Sequence, residues 1–160
     1  MNDGRWPTRR RPTRAAVIAV AAAATIVATV LAPSPASARH REGPCDPHRQ
    51  EDETVQAHQR ELIRCATNHW TVFGGYEKAL CIAKRESGLN PRAVSSDGRY
   101  LGLYQHAKRY WPGRYDAYTR RAWELNDSAL IGRTNAIVSI RMAGEVGWGP
   151  WRGTGCAVRT

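Results

Sequence analysis

From Ala15 to Ala32 the chain carries no charged side chain and is rich in alanine and valine, and Arg9, Arg10, Arg11 and Arg14 stand just before this run. A basic stretch followed by such a run is a membrane-targeting signal rather than part of a globular core, so it decides which residues are free to fold. "APSPASA" follows, with Ala36 and Ala38 at the small-residue positions that a signal peptidase requires, and cleavage after Ala38 is expected. The run is long enough to span a bilayer, which makes an uncleaved anchor the competing reading. The proline-rich exit favours cleavage, and Pro12-Thr13 after the arginines speaks against a twin-arginine signal. The fold is therefore sought in residues 39–160, which are expected to be secreted.

That length suits a single domain with one core. Asp3 and the five arginines before residue 15 lie outside it, so the formal net charge of +10 falls to +6 for residues 39–160, carried mainly by arginine. Such a balance favours solubility and attraction to an anionic partner. No helix-turn-helix, zinc-finger or RNA-binding signature accompanies it, so nucleic acid is not the expected partner. All four cysteines, Cys45, Cys65, Cys81 and Cys156, fall in this part. An even count in a small exported domain implies disulfides, with three pairings open. No two cysteines have the close spacing of a zinc motif, and His40, His48, His58, His69 and His106 are scattered, so no metal site is expected.

Residues 39–53 are polar, with Pro44 and Pro47 around Cys45, and read as an extended arm held only by its disulfide. The domain proper runs over 54–160. Val55, Gln59, Leu62, Ala66 and His69 recur at helical spacing and predict an amphipathic helix ending near His69, before Gly74-Gly75 breaks the chain. A second helix is predicted over about 76–87, with Ala79, Ile82, Ala83 and Glu86 on one face. Gly88 suits the left-handed residue that closes a helix, and Asn90-Pro91 prevents continuation. Ser95-Ser96-Asp97-Gly98, flanked by Val94 and Tyr100, predicts a short hairpin. Further helices are predicted over 114–125, on a stripe of Tyr115, Tyr118, Ala122 and Leu125, and over 127–143, with Asp127 as cap and Ile131, Asn135, Val138 and Met142 on one face. The closing "GWGPWRGTGC" reads as loop. The class is mainly α with a short hairpin.

Glu86 is the residue with chemistry to offer. An inward-facing carboxylate at the end of a helix meets partial desolvation and the negative end of the helix dipole, and both raise its pKa. Such a group can stay protonated and serve as a general acid, which is what glycosidic-bond cleavage demands. The structural alternative is a surface glutamate paired with Lys84 or Arg85.

"ESGLNPRAV", a turn and then "GLYQ" resemble the Glu-Ser and Gly-Leu-x-Gln motifs of the lysozyme-like soluble lytic transglycosylases, which are related to the resuscitation-promoting factors of actinobacteria. The resemblance covers residues 76–105 and, more loosely, 127–156. It implies an α+β lysozyme-like domain, its hairpin near the active-site cleft, that cleaves the β-1,4 bond between N-acetylmuramic acid and N-acetylglucosamine in peptidoglycan. The expected protein is monomeric, needs no cofactor and is extracellular or associated with the anionic cell wall, with membrane contact through its signal segment alone.

Carried over by residue, the resemblance makes Glu86 the catalytic acid and Ser87 the hydroxyl that helps position the sugar. Gly102, Leu103, Tyr104 and Gln105 become the stretch lining the cleft opposite the acid, Tyr104 replacing the common methionine. Asn135 looks like the helix asparagine before the third motif, but Ala-Tyr-Asn-Ala-Gly is absent and "GWGPW" stands in its place, with Trp148 and Trp151 available to stack on sugar rings. Each has a structural alternative. Ser87 can end the helix, Tyr104 and the tryptophans can be core, Gln105 can satisfy a backbone group, and Asn135 can be a buried amide.

Similarity to the resuscitation-promoting factors also favours Cys81 with Cys156 and Cys45 with Cys65. A two-carboxylate glycosidase needs a second acid within ~10 Å of the first. Asp97 is the candidate, yet Asp97-Gly98 is strongly a turn pair. The expected mechanism is therefore that of a single-acid lytic transglycosylase. Hydrolysis by a lysozyme-type muramidase and a non-catalytic wall-binding module are the alternatives.

Overall fold

The computed structural model describes residues 43–157, and the expected export signal and its cleavage site lie outside the described residues. Among these residues the α-helices are α1 (Val55–His69), α2 (Gly75–Ser87), α3 (Trp111–Tyr118) and α4 (Gly132–Val146). An antiparallel pair, β1 (Tyr100–Leu101) and β2 (His106–Ala107), lies between α2 and α3. About 55 % of the structure is helical against this one small sheet, which makes the fold mainly α, as the periodicity predicted. No helix among the described residues is long and apolar enough to cross a membrane.

α1 begins where the Thr54 hydroxyl accepts a hydrogen bond from the Ala57 N–H at 3.1 Å. α2 ends at Gly88, whose φ of 63° is the left-handed cap expected of it. The centre of the domain is α4, in which every residue from Thr134 to Ile140 is buried. A helix buried on all sides reads as continuous rather than striped, and α1 and α3 both pack against it. Leu62, Ile63 and Ala66 of α1 and Ala79, Ile82 and Ala83 of α2 complete the core with Ile137 and Ile140.

Two helices differ in their bounds from the sequence reading. α3 starts at Trp111, with Pro112 in the first turn where no N–H is needed, and stops at Tyr118; Arg121–Trp123 is a separate 3₁₀ turn and Ala122 is exposed. α4 starts at Gly132, not Asp127. Polar side chains take up the backbone of the preceding segment: Asn126 Oδ1 accepts from the Ser128 N–H, Ser128 Oγ from the Leu130 N–H, and Thr134 Oγ1 donates to Asn126 O. Local bonds of this kind compete with helix. Ile131 is accordingly exposed rather than inward.

The disulfides are Cys45–Cys65 and Cys81–Cys156, with Cα separations of 5.5 and 5.9 Å. The first joins the N-terminal arm to α1, but the arm is not held by it alone. Arg133 of α4 donates to Gly43 O at 2.7 Å and pairs with Asp46 at 3.0 Å.

Candidate active site

The Ser95–Gly98 turn forms, with Gly98 N–H donating to Ser95 O at 2.8 Å and a single bridge between Val94 and Leu101. The ladder itself, however, closes across Gly102–Gln105, where Leu101 faces His106. "GLYQ" is a tight turn with φ of 79° at Gly102 and 49° at Gln105. Only glycine fits the first position: an added Cβ would lie 2.0 Å from Ala129 O and 2.3 Å from Asn135 Nδ2.

The central residues of the turn, Leu103 and Tyr104, are fully buried. Their backbone groups are satisfied by side chains from three directions. Ser87 Oγ donates to Leu103 O (2.8 Å), Asn135 Oδ1 accepts from the Tyr104 N–H (2.9 Å), and Trp151 Nε1 donates to Tyr104 O (2.8 Å). The Tyr104 hydroxyl reaches Ala79 O of α2 at 3.1 Å. This turn therefore fixes the end of α2, the middle of α4 and the C-terminal segment relative to one another.

Glu86 stands one residue before Ser87 and is half-buried, on the edge of a cavity of about 380 Å³. Gln105, Tyr100 and Ala107 of the hairpin line the same cavity, with Arg109, Tyr110 and Arg114 beyond it and Pro150 and Trp151 from the C-terminal segment. Burial raises the Glu86 pKa above its ordinary value, and the C-terminal end of α2 acts in the same direction. Gln105 Nε2 donates to Gly102 O at 2.9 Å and Ala93 O at 3.2 Å, which holds its side chain at the cavity wall. Glu86 is the one carboxylate lining this space among the described residues. Asp97 is exposed on its own turn. The Ser95 hydroxyl, then the backbone and guanidinium N–H groups of Arg99, hold its carboxyl down to about 2.

Of the residues singled out from the sequence, Glu86 and Gln105 are brought together at the cavity. Ser87, Gly102, Leu103 and Tyr104 form the support beneath them. Asn135 is fully buried, its amide engaged by the Tyr104 N–H and by Ala129 O at 2.8 Å, and does not line the cavity. Trp148 lies elsewhere: its Nε1 donates to Phe73 O at 2.8 Å, its ring packs on Tyr104 and Trp151, and it lines a separate space beside Phe73. Cys45, Cys65 and His69 cluster within 4.8 Å, but their two sulfurs are bonded to each other and offer no thiolate to a metal.

Sequence reasoning passed over Arg114 and His106. Arg114 Nη1 lies 2.8 Å from His106 Nδ1, His106 Nε2 lies 2.7 Å from Ser139 Oγ, and Ser139 Oγ lies 2.7 Å from Asn135 O. A guanidinium only donates, so Nδ1 accepts and the ring proton sits on Nε2, which donates to Ser139, whose own proton goes to Asn135 O. One neutral tautomer satisfies the chain, and burial pushes the His106 pKa down to about 3. Helical spacing relates only Ser139 to Asn135, one turn apart in α4; the contacts of His106 with Arg114 and with Ser139 join different elements and leave no local signal. No protein-family model matches the chain, and neither do curated proteins or solved structures.

Proposed function

We propose that this protein is a secreted peptidoglycan-cleaving enzyme with a lysozyme-like domain, in which Glu86 acts alone as acid and then base. The observation that carries the reading is Glu86 itself: a half-buried carboxyl with a raised pKa, the sole carboxylate lining its cavity among the described residues. Protonated Glu86 gives its proton to the oxygen between N-acetylmuramic acid and N-acetylglucosamine, and that bond breaks as the muramic ring gains oxocarbenium character. The resulting carboxylate then takes the proton from the muramic 6-hydroxyl, whose oxygen bonds the anomeric carbon and leaves a 1,6-anhydro end. With no second carboxylate lining the cavity among the described residues to act as nucleophile or to activate water, the intramolecular hydroxyl is the favoured attacker. Gln105 is a neutral polar contact beside the acid, and Trp151 an apolar edge for a sugar ring.

Two disulfides fit an oxidising, extracellular compartment, and a net positive charge supports residence on an anionic wall. The decisive experiment is digestion of purified cell walls followed by mass spectrometry of the released muropeptides. Anhydro-muramic ends are expected. New reducing ends would replace the transglycosylase reading by hydrolysis, and intact walls with protein bound to them would replace it by a binding module.

A further inference from the structure

Glu86 shares its cavity with two guanidinium groups, those of Arg109 and Arg114. Both lie over the ring of Tyr110, at 4.5 and 5.5 Å from its centroid. Arg114 is partly buried and is braced by His106, which is neutral and so supplies no counter-charge. Among the described residues no carboxylate lies within ion-pairing distance of either arginine; the ion pairs present involve other residues. A guanidinium drawn out of water without a counter-ion is disfavoured, and burial accordingly pulls the Arg114 pKa down. The cationic surface also continues. A second cavity of about 540 Å³ shares Tyr100, Ala107 and Arg109 with the first and adds Lys108.

A braced arginine presents a planar fork of N–H donors matched to a carboxylate. We propose that Arg114 and Arg109 form a carboxylate-binding subsite in the Glu86 cavity, so that the preferred substrate is a glycan carrying a free carboxylate beside the scissile bond. The proposal rests on the reading of Glu86 as the acid and specifies its substrate. In peptidoglycan such a carboxylate has two sources: the lactyl group of a muramic residue whose peptide stem has been removed, and the carboxylates of an intact stem.

The test uses binding, which survives if the catalytic reading fails. The affinity of the Glu86→Gln protein is measured for a peptide-free glycan tetrasaccharide with free lactyl carboxylates, for the same sugar with those carboxylates converted to methylamides, and for the peptide-bearing tetrasaccharide. The free-carboxylate sugar is expected to bind at least about 10-fold more tightly than its methylamide, as a charge-assisted hydrogen bond warrants. Arg114→Gln is expected to abolish that preference and Arg114→Lys to restore part of it; Arg109→Gln, which leaves the His106 contact untouched, is expected to weaken it. If instead the peptide-bearing sugar binds best and loses its advantage when its stem carboxylates are amidated, the same subsite takes the stem. Equal affinity for charged and amidated forms of both sugars overturns the proposal. A carboxylate preference in a wild-type protein that cleaves nothing would leave the subsite standing and refute the catalytic reading; cleavage by wild type without any preference would do the reverse.

Discussion

Glu86→Gln removes one ionisable proton and changes little else. Glutamine has nearly the same size and still hydrogen-bonds, so cleavage is expected to fall at least ~100-fold while binding to walls persists. The sign of the stability effect follows from the raised pKa. A group whose pKa is raised by folding contributes its stability below its ordinary value of 4.5 and loses it as pH rises through the folded value. Above its folded value the ionised, half-buried carboxylate is a liability, and there Glu86→Gln should match or slightly exceed wild type in thermal denaturation. The same titration governs activity: kcat should decline as pH rises through the elevated Glu86 value, because the acid must begin protonated. A kcat that shows no decline at any pH above 4.5 while the protein stays folded would contradict that role. Asp97→Asn is the companion measurement. Its carboxyl is exposed and held by Ser95 and Arg99 of its own turn, so activity should stay within about threefold of wild type, the range of ordinary surface changes. A loss as deep as that of Glu86→Gln, with the fold intact, would restore the two-carboxylate mechanism.

Between elements, the contact to examine is Ser87 with the Gly102–Gln105 turn. Ser87 follows Glu86 directly and bonds Leu103 O, two residues before Gln105, so it sets the distance between acid and cavity wall. Ser87→Ala should destabilise the fold by about 1 kcal/mol, the ordinary net worth of such a bond. It should also lower kcat more than it raises KM, and Ser87→Thr, which keeps the hydroxyl, should recover most of the loss. Unchanged kcat in the alanine variant would reduce Ser87 to a helix-ending residue. How far these elements were legible depended on what holds each of them. α1 and α2 were visible because their stripes and stops are local, written in the Leu62–Ala66 spacing, the Ala79–Ile82–Ala83 face and Gly88. The start of α4 was not, because Asn126, Ser128 and Thr134 bind the backbone that Asp127 would have brought into helix. "GLYQ" was legible as a motif, but which of its side chains face the cavity is decided by turn geometry: Leu103 and Tyr104 at the centre are drawn into the core and Gln105 emerges. In the chain from Arg114 through His106 and Ser139 to Asn135, the last link is an ordinary helical spacing within α4, whereas the first two join residues 8 and 33 positions apart in different elements and left no periodic trace.

Across the whole molecule the two disulfides close loops of different kinds. Cys45–Cys65 spans 20 residues and ties down an arm that Arg133 holds independently, whereas Cys81–Cys156 spans 75 and anchors the segment that carries Pro150 and Trp151 to the cavity. On the chain-entropy argument the first stabilises by ~3 kcal/mol and the second by ~4 kcal/mol, so replacing either pair with alanines should lower the melting temperature, the second more. Activity separates them further. Loss of Cys45–Cys65 leaves the Glu86 cavity lined as before, and the variant should cleave at close to the wild-type rate below its melting transition. Loss of Cys81–Cys156 frees the tail from the helix that bears Glu86; the Trp151 bond to Tyr104 O remains its chief tether to the turn. A loosened wall should raise KM and lower kcat well below the temperature at which the fold melts, and a fraying tail should show faster amide exchange over residues 148–157 while α1 and α4 stay protected. Both pairs should be compared at one temperature where each variant is folded by circular dichroism. Equal losses of activity in the two variants, or full activity without Cys81–Cys156, would show that the C-terminal segment is not a working wall of the cavity, and Trp151 would then count as packing alone.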